Sequence, residues 1–203
     1  MNNFAEELSY WYLRFNGFLL LQNFVLHNLR DGIQRGSADS DLLAIRFLDV
    51  YEKVGGQDQD WDKEKFYNWG IDIDKFNLAF IAEVKSSKDL KKCCLEKSFL
   101  FKRLESALYR FGIFPKKEVG SIAKKLYNEK YITINSWIIA KLAVTEKQID
   151  GSWLNLTLSE IDEFIQKRIK SYQKDKYADR VYFPSSLLQY LTWKYSNFST
   201  GDF

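Results

Sequence analysis

Phe4, Leu8, Trp11 and Phe15 recur at helical spacing through FAEELSYWYLRFN, with polar positions between them. The pattern predicts an amphipathic helix over residues 4–16. Asn16-Gly17 ends it, because both residues leave helical conformation at low cost. FLLLQNFVLH, at 18–27, is short, apolar and bounded by turn residues, and reads as a strand. NLRDGIQRGSADS is a turn-rich connection to a second strand, DLLAIRF, at 41–47. Residues 49–76 are polar and aromatic, enclose GGQDQDWDKE, and read as an insertion or a long β-hairpin excursion. NLAFIAEVK, at 77–85, is a third strand.

The character changes at Lys88. KDLKKCCLEKSFLFKRLESALYRFG reads as one long helix ending near Gly112, with Pro115 beyond it, and KKEVGSIAKKLYNE as another. YITINSWIIAKLAV reads as a strand with a turn around Asn135-Ser136. LTLSEIDEFIQKRIKSYQKDK is a helix with Ser159 as its cap and Ile161, Phe164, Ile165, Ile169 and Tyr172 on one face. Pro184 opens a last helix, SSLLQYLTWKYS. The order α-β-β-β-α-α-β-α-α predicts one mixed α/β domain around a small sheet. There is no internal repeat or low-complexity tract.

Composition narrows the chemistry. The 203 residues are 46% hydrophobic, with 16 Phe, 12 Tyr and 6 Trp, enough for a packed core and against disorder. No apolar run spans a bilayer, since GFLLLQNFVLH is short and interrupted by Gln22 and Asn23. The start of the chain lacks a basic leader with a cleavage site. The two cysteines, Cys93 and Cys94, are adjacent, which makes a poor disulfide framework and fits a reducing cytoplasm; within a helix they read as structural. With one His and two adjacent Cys, a zinc site of nitrogen and sulfur ligands is disfavoured. The lone His27, at a strand end, argues against a Ser-His-Asp triad. Asp58, Asp60 and Asp62 copy the first ligands of a calcium loop, but Lys63 and Trp69 stand where it needs Gly and Glu, leaving a solvated acidic loop. No glycine pattern matches a phosphate loop. Trp153, Tyr177 and Trp193 could stack on bases, although core packing is the default for such residues.

Charge is unevenly placed. Residues 1–87 carry 9 Lys/Arg against 14 Asp/Glu, whereas residues 88–130 carry 12 against 5. That pattern suits either a solvated helix with many lysines or a polyanion-facing surface beside a carboxylate-rich site. Glu83 and Lys85 lie two residues apart at the end of the third strand, so both project to one face. Unpaired charges at the end of a buried strand are costly, so they need partners or a ligand. Asp41 opens the neighbouring apolar strand. A Glu and an Asp from adjacent strands form an oxygen-ligand pair for a hard cation such as Mg²⁺.

This arrangement resembles the PD-(D/E)XK nuclease superfamily, which includes restriction endonucleases and Holliday-junction resolvases. The resemblance covers about residues 4–144. It implies a restriction-endonuclease-like α/β core of order α-β-β-β-α-β, with the insertion at about 49–76 looped out and extra C-terminal helices at about 157–196. It implies Asp41 and Glu83 as ligands of Mg²⁺, with Mn²⁺ as a substitute, and Lys85 as the catalytic lysine. Many members add a glutamate from the first helix. Glu7 lies beside the Phe4/Leu8/Trp11/Phe15 stripe at about 100° per residue, whereas Glu6 points nearly opposite, so Glu7 is the expected fourth residue. Ser40 stands where the motif has proline, and 42 residues separate Asp41 from Glu83.

The function implied is a Mg²⁺-dependent nuclease acting on DNA ahead of RNA, in which Lys88, Lys91, Lys92, Lys116 and Lys117 grip the backbone. It implies no membrane partner, and cutting both strands of a duplex favours a homodimer or larger complex. The alternative is a nuclease-fold subunit that binds DNA or protein without cutting.

Overall fold

The computed structural model describes residues 3–26, 29–30, 33–34, 38–171 and 185–195. Helix α1 (Phe4–Phe15) begins where Asn3, in extended conformation, turns its side-chain oxygen onto the backbone N–H groups of Ala5 and Glu6, at 2.9 and 3.0 Å. Such a cap satisfies donors that the first turn leaves unpaired. The helix ends at Asn16, and Gly17 follows at φ +82°, a conformation that favours glycine. A Cβ there would lie 2.9 Å from a methyl of Val50.

A six-stranded mixed sheet forms the centre. Strands β1 (Leu19–Leu26), β4 (Ala38–Arg46) and β5 (Asn77–Lys85) are successive antiparallel neighbours. The turn-rich connection between β1 and β4 contains a separate small hairpin, β2 (Leu29–Arg30) with β3 (Ile33–Gln34). Strand β7 (Trp137–Thr145) runs parallel to β5, from Asn77 opposite Trp137 to Lys85 opposite Thr145. Its other edge is shared. Strand β6 (Tyr131–Ile134) pairs antiparallel with its first half, and β8 (Leu154–Thr157) pairs parallel with its last residues. The turn between β6 and β7 falls at Asn135-Ser136, as the sequence indicates, with Asn135 at φ +53°.

Both faces of the sheet are covered, which is why β5 and β7 read as continuous apolar runs rather than alternating ones. On one face Leu42, Leu78, Phe80, Ala82 and Leu142 pack against α1, α6 (Leu158–Ser171), α7 (Ser186–Tyr195) and the insertion. On the other, Leu43, Ala79, Ile81, Ile139 and Ala143 pack against α3 (Lys92–Ser98), α4 (Phe101–Phe111) and α5 (Lys116–Asn128). Lys141 points to this second face, buried. Its ammonium donates to the Tyr127 carbonyl in the last turn of α5 and to Ser152 Oγ. Burial pushes its pKa down to about 8.

Several expectations change. The single helix over 88–112 is two, with residues 86–91 outside either. Phe99 drops into the core and Leu100 turns extended before α4 starts. The C-terminal end stands: Gly112 closes α4 in the left-handed conformation. The insertion is not a hairpin excursion. It holds a 3-10 turn (Asp58–Asp60) and helix α2 (Lys63–Asn68), besides an isolated bridge from Glu52 to Gly56. Strand β8 was hidden at the head of the predicted α6. That helix is capped by Thr157, not Ser159. The Thr157 hydroxyl accepts from the Glu160 backbone at 3.3 Å while the Glu160 carboxylate accepts from the Thr157 backbone at 2.8 Å. Ile161, Ile165 and Ile169 form its buried face, with Phe164 packed beside them.

Trp153 is buried, Trp193 is exposed, and Cys93 and Cys94 are free and exposed rather than part of the core. His27, Tyr172, Tyr177 and Pro184 lie outside the described residues. Among the described residues no helix is long and apolar enough to cross a membrane.

Candidate active site

Strand pairing brings the two acidic residues together. Leu42 lies opposite Ala82 in the β4–β5 register, so the next position in each direction carries Asp41 and Glu83. Both belong to the parity that faces α3–α5, as does Lys85. Asp41 Oδ2 accepts a hydrogen bond from the Val84 backbone N–H at 2.7 Å, clasping the ends of the two strands. Lys85 Nζ lies 2.7 Å from Glu83 Oε1 and 3.7 Å from Asp41 Oδ2. Ser98 Oγ, from α3, donates to Glu83 Oε1 at 2.8 Å. The Glu83 side chain is 8% exposed, Asp41 15% and Lys85 35%, so the cluster opens to solvent on the lysine side. These contacts engage one oxygen of each carboxylate.

Burial raises the Asp41 pKa to about 6, and the Glu83 and Glu6 charges push the same way; the Val84 N–H and the Lys85 ammonium pull against them. For Lys85, burial works to lower the pKa, but the Glu83 and Asp41 charges outweigh it and the net shift is upward. The ammonium therefore stays protonated between two carboxylates.

The fourth expected residue is not there. The Glu7 carboxylate accepts from Ser185 Oγ at 2.5 Å, the hydroxyl that also receives the Leu188 N–H at the head of α7. Glu6 is the acidic residue of α1 whose charge reaches Asp41. The predicted helix phase fails because the buried arc does not centre on the predicted stripe. Phe4 is exposed, and Ala5, Ser9 and Leu13 are buried, extending the arc away from Glu7 toward the Glu6 side. Lys88, Lys91, Lys92, Lys116 and Lys117 all lie in solvent. Lys88 and Lys91 lead from β5 into α3, Lys92 opens that helix, and Lys116 and Lys117 open α5.

Two further features surround the site. Asn23 sits opposite Asp41, where the β1–β4 pairing breaks between Gln22–Leu42 and Phe24–Ser40, and its φ is +47°. Asparagine tolerates this left-handed conformation better than most residues. The kink lets Leu21 and Phe24, three residues apart, pack on the same core. The Arg110 guanidinium of α4 lies 5.2 Å over the Phe24 ring. Sequence reasoning missed Ser98, Asn23 and Arg110. An asparagine inside an apolar strand was the available signal for the kink; nothing local marks Ser98.

Among the described residues no group of three or more His, Cys, Asp or Glu is placed to hold a metal ion. Asp41 and Glu83 together offer a pair of hard carboxylates. Such a pair fits Mg²⁺, which takes one or two carboxylates and completes its shell with waters and substrate phosphate oxygens. It does not fit an ion that needs an all-protein cage. No family model matches the chain, no curated protein matches it, and no solved structure matches it.

Proposed function

We propose that the protein is a divalent-cation-dependent nuclease that hydrolyses phosphodiester bonds, of DNA ahead of RNA. The observation that carries this reading is the Asp41–Glu83–Lys85 cluster: two carboxylates from adjacent strand ends sharing one ammonium at an opening to solvent. The topology supports it. A helix, three antiparallel strands, helices and a strand parallel to the third follow the α-β-β-β-α-β order of the restriction-endonuclease-like core. Asp41 and Glu83 would hold Mg²⁺ or Mn²⁺, which, when bound, polarises a phosphodiester and activates water. Lys85 is set to neutralise charge that develops on the phosphoryl oxygens. The exposed lysines of 88–117 would supply sequence-independent phosphate contacts.

The test is a cleavage panel of single- and double-stranded DNA and RNA with Mg²⁺ or Mn²⁺, run beside Asp41→Ala with Glu83→Ala. Cation-dependent cleavage that the double variant loses is expected. Binding of DNA with no cleavage of any substrate under either ion would replace the enzyme with a non-catalytic subunit.

A further inference from the structure

We infer that Ser98 is a positioning residue that fixes which oxygen of Glu83 meets an incoming cation; this rests on the cation-dependent reading above. A carboxylate buried to this degree needs donors. Glu83 has two, Lys85 Nζ at 2.7 Å and Ser98 Oγ at 2.8 Å, and both fall on Oε1. One carboxylate oxygen has two acceptor sites, so these donors fill Oε1, fix the tilt of the group and leave Oε2 as the oxygen they do not engage.

The two donors differ in kind. Lys85 is a charge on a flexible stem, about a third exposed and drawn also toward Asp41. A dication held by Asp41 and Glu83 would repel that ammonium and weaken its hold on Glu83. Ser98 is neutral, so the cation does not repel it, and it is 7% exposed on a helix packed into the core. Its hydroxyl has a second acceptor, the Cys94 carbonyl at 3.3 Å, but the charged carboxylate is closer and stronger. Ser98 is therefore the donor that stays on Glu83 once the cation is in place. Partners behind metal ligands typically contribute 10–100-fold in affinity.

The experiment titrates Mn²⁺ into the cation-free protein by calorimetry, without nucleic acid. Ser98→Ala is expected to weaken Mn²⁺ binding by about 10-fold or more. Ser98→Cys, close in size but a poor donor, is expected to follow it, and Ser98→Thr to restore most of the affinity. Cleavage by Ser98→Ala should recover as Mn²⁺ is raised, with the DNA KM unchanged, whereas a merely structural role would lower the melting temperature and leave Mn²⁺ affinity alone. Wild-type Mn²⁺ affinity in both the Ala and Cys variants, with Asp41→Ala plus Glu83→Ala abolishing it, would overturn the role of Ser98 and leave the nuclease reading intact. A wild-type protein showing no Mn²⁺ binding that depends on Asp41 and Glu83 would overturn both.

Discussion

Two groups of buried charge lie on opposite faces of one sheet, and they are built differently. Beneath α1 and α6, Arg46 donates to the carbonyls of Asn16 and Ile73, both at 3.0 Å, and lies over the Trp61 ring. Arg168 donates to the Phe15 carbonyl, pairs with Asp60 at 3.2 Å and is ringed by Phe15, Trp61 and Phe164. Tyr12 donates to Asp62 at 2.7 Å, and burial with the Asp62 charge holds its pKa well above the ordinary value. Each of these groups is tied to backbone or to an opposite partner, and together they bind the insertion to α1 and α6. At Asp41, Glu83 and Lys85 two carboxylates share one ammonium, and burial first, with the Glu83 charge after it, raises the Asp41 pKa. Balanced buried charge fixes structure, whereas a buried surplus of one sign marks a candidate functional site.

The widest contrast should come from Arg168→Met. It removes the Arg168–Asp60 pair, whose side chains are 3% and 6% exposed, and breaking such a buried pair costs about 3–5 kcal/mol. Urea unfolding should show that loss while the cleavage rate per folded molecule holds. A variant as stable as the parent would remove the structural half of the contrast. Lys85→Ala should do the opposite. Loss of one preorganised charge at the reacting centre lowers the rate by about 10²–10³-fold, and filter binding should show DNA affinity little changed. Weakened binding with normal cleavage at saturating DNA would remove its catalytic role.

Asp41→Asn probes the surplus charge itself. A carboxyl whose folded pKa is about 6 rather than the ordinary 3.8 favours the folded state when protonated. That contribution is fully present below about pH 4 and is lost as pH rises through about 6; a shift near 2 units corresponds to about 3 kcal/mol at most. The variant should therefore be more stable than the parent at pH 8, with the difference closing toward pH 4 in urea melts. Equal stability at both pH values would mean that the site is not strained. Cation binding by the parent should strengthen as pH rises through the same range, since the ligand must be deprotonated. The smallest effect on stability belongs to Lys91, Lys92, Lys116 and Lys117 changed together to Gln. Exposed positions like these shift folding by about 0.5 kcal/mol or less each. Their signature is the salt dependence of DNA binding, which should flatten by about 0.9 in log-log slope for each duplex phosphate that is no longer neutralised.

The placement of Glu83 and Lys85 on one face was legible from strand periodicity, whereas Asp41 comes opposite Glu83 through a strand register that the apolar runs leave open. What escaped depends on contacts distant in sequence. Glu7 looked inward because the buried arc of α1 was centred on Phe4, Leu8, Trp11 and Phe15, whereas Ala5, Ser9 and Leu13 carry it toward Glu6. The break at Phe99 was invisible because the residues around it suit a continuous helix, and only burial of Phe99 separates α3 from α4. Asp58, Asp60 and Asp62 looked like a solvated loop, and Asp58 is one, with its side chain 87% exposed, yet Asp60 and Asp62 serve Arg168 and Tyr12. Both of those partners lie far from the loop in sequence.

The left-handed turn at Asn23 has a consequence for crowded solutions. Among the described residues strand β1 stands at the end of the sheet order, where an outer strand offers its unused backbone groups to any chain that can lie straight along it. At Asn23 that row changes direction midway, so a second copy could match one half of the edge or the other but not both. The same kink that turns Phe24 toward Arg110 is the kind of irregularity that blunts an edge against pairing with another strand.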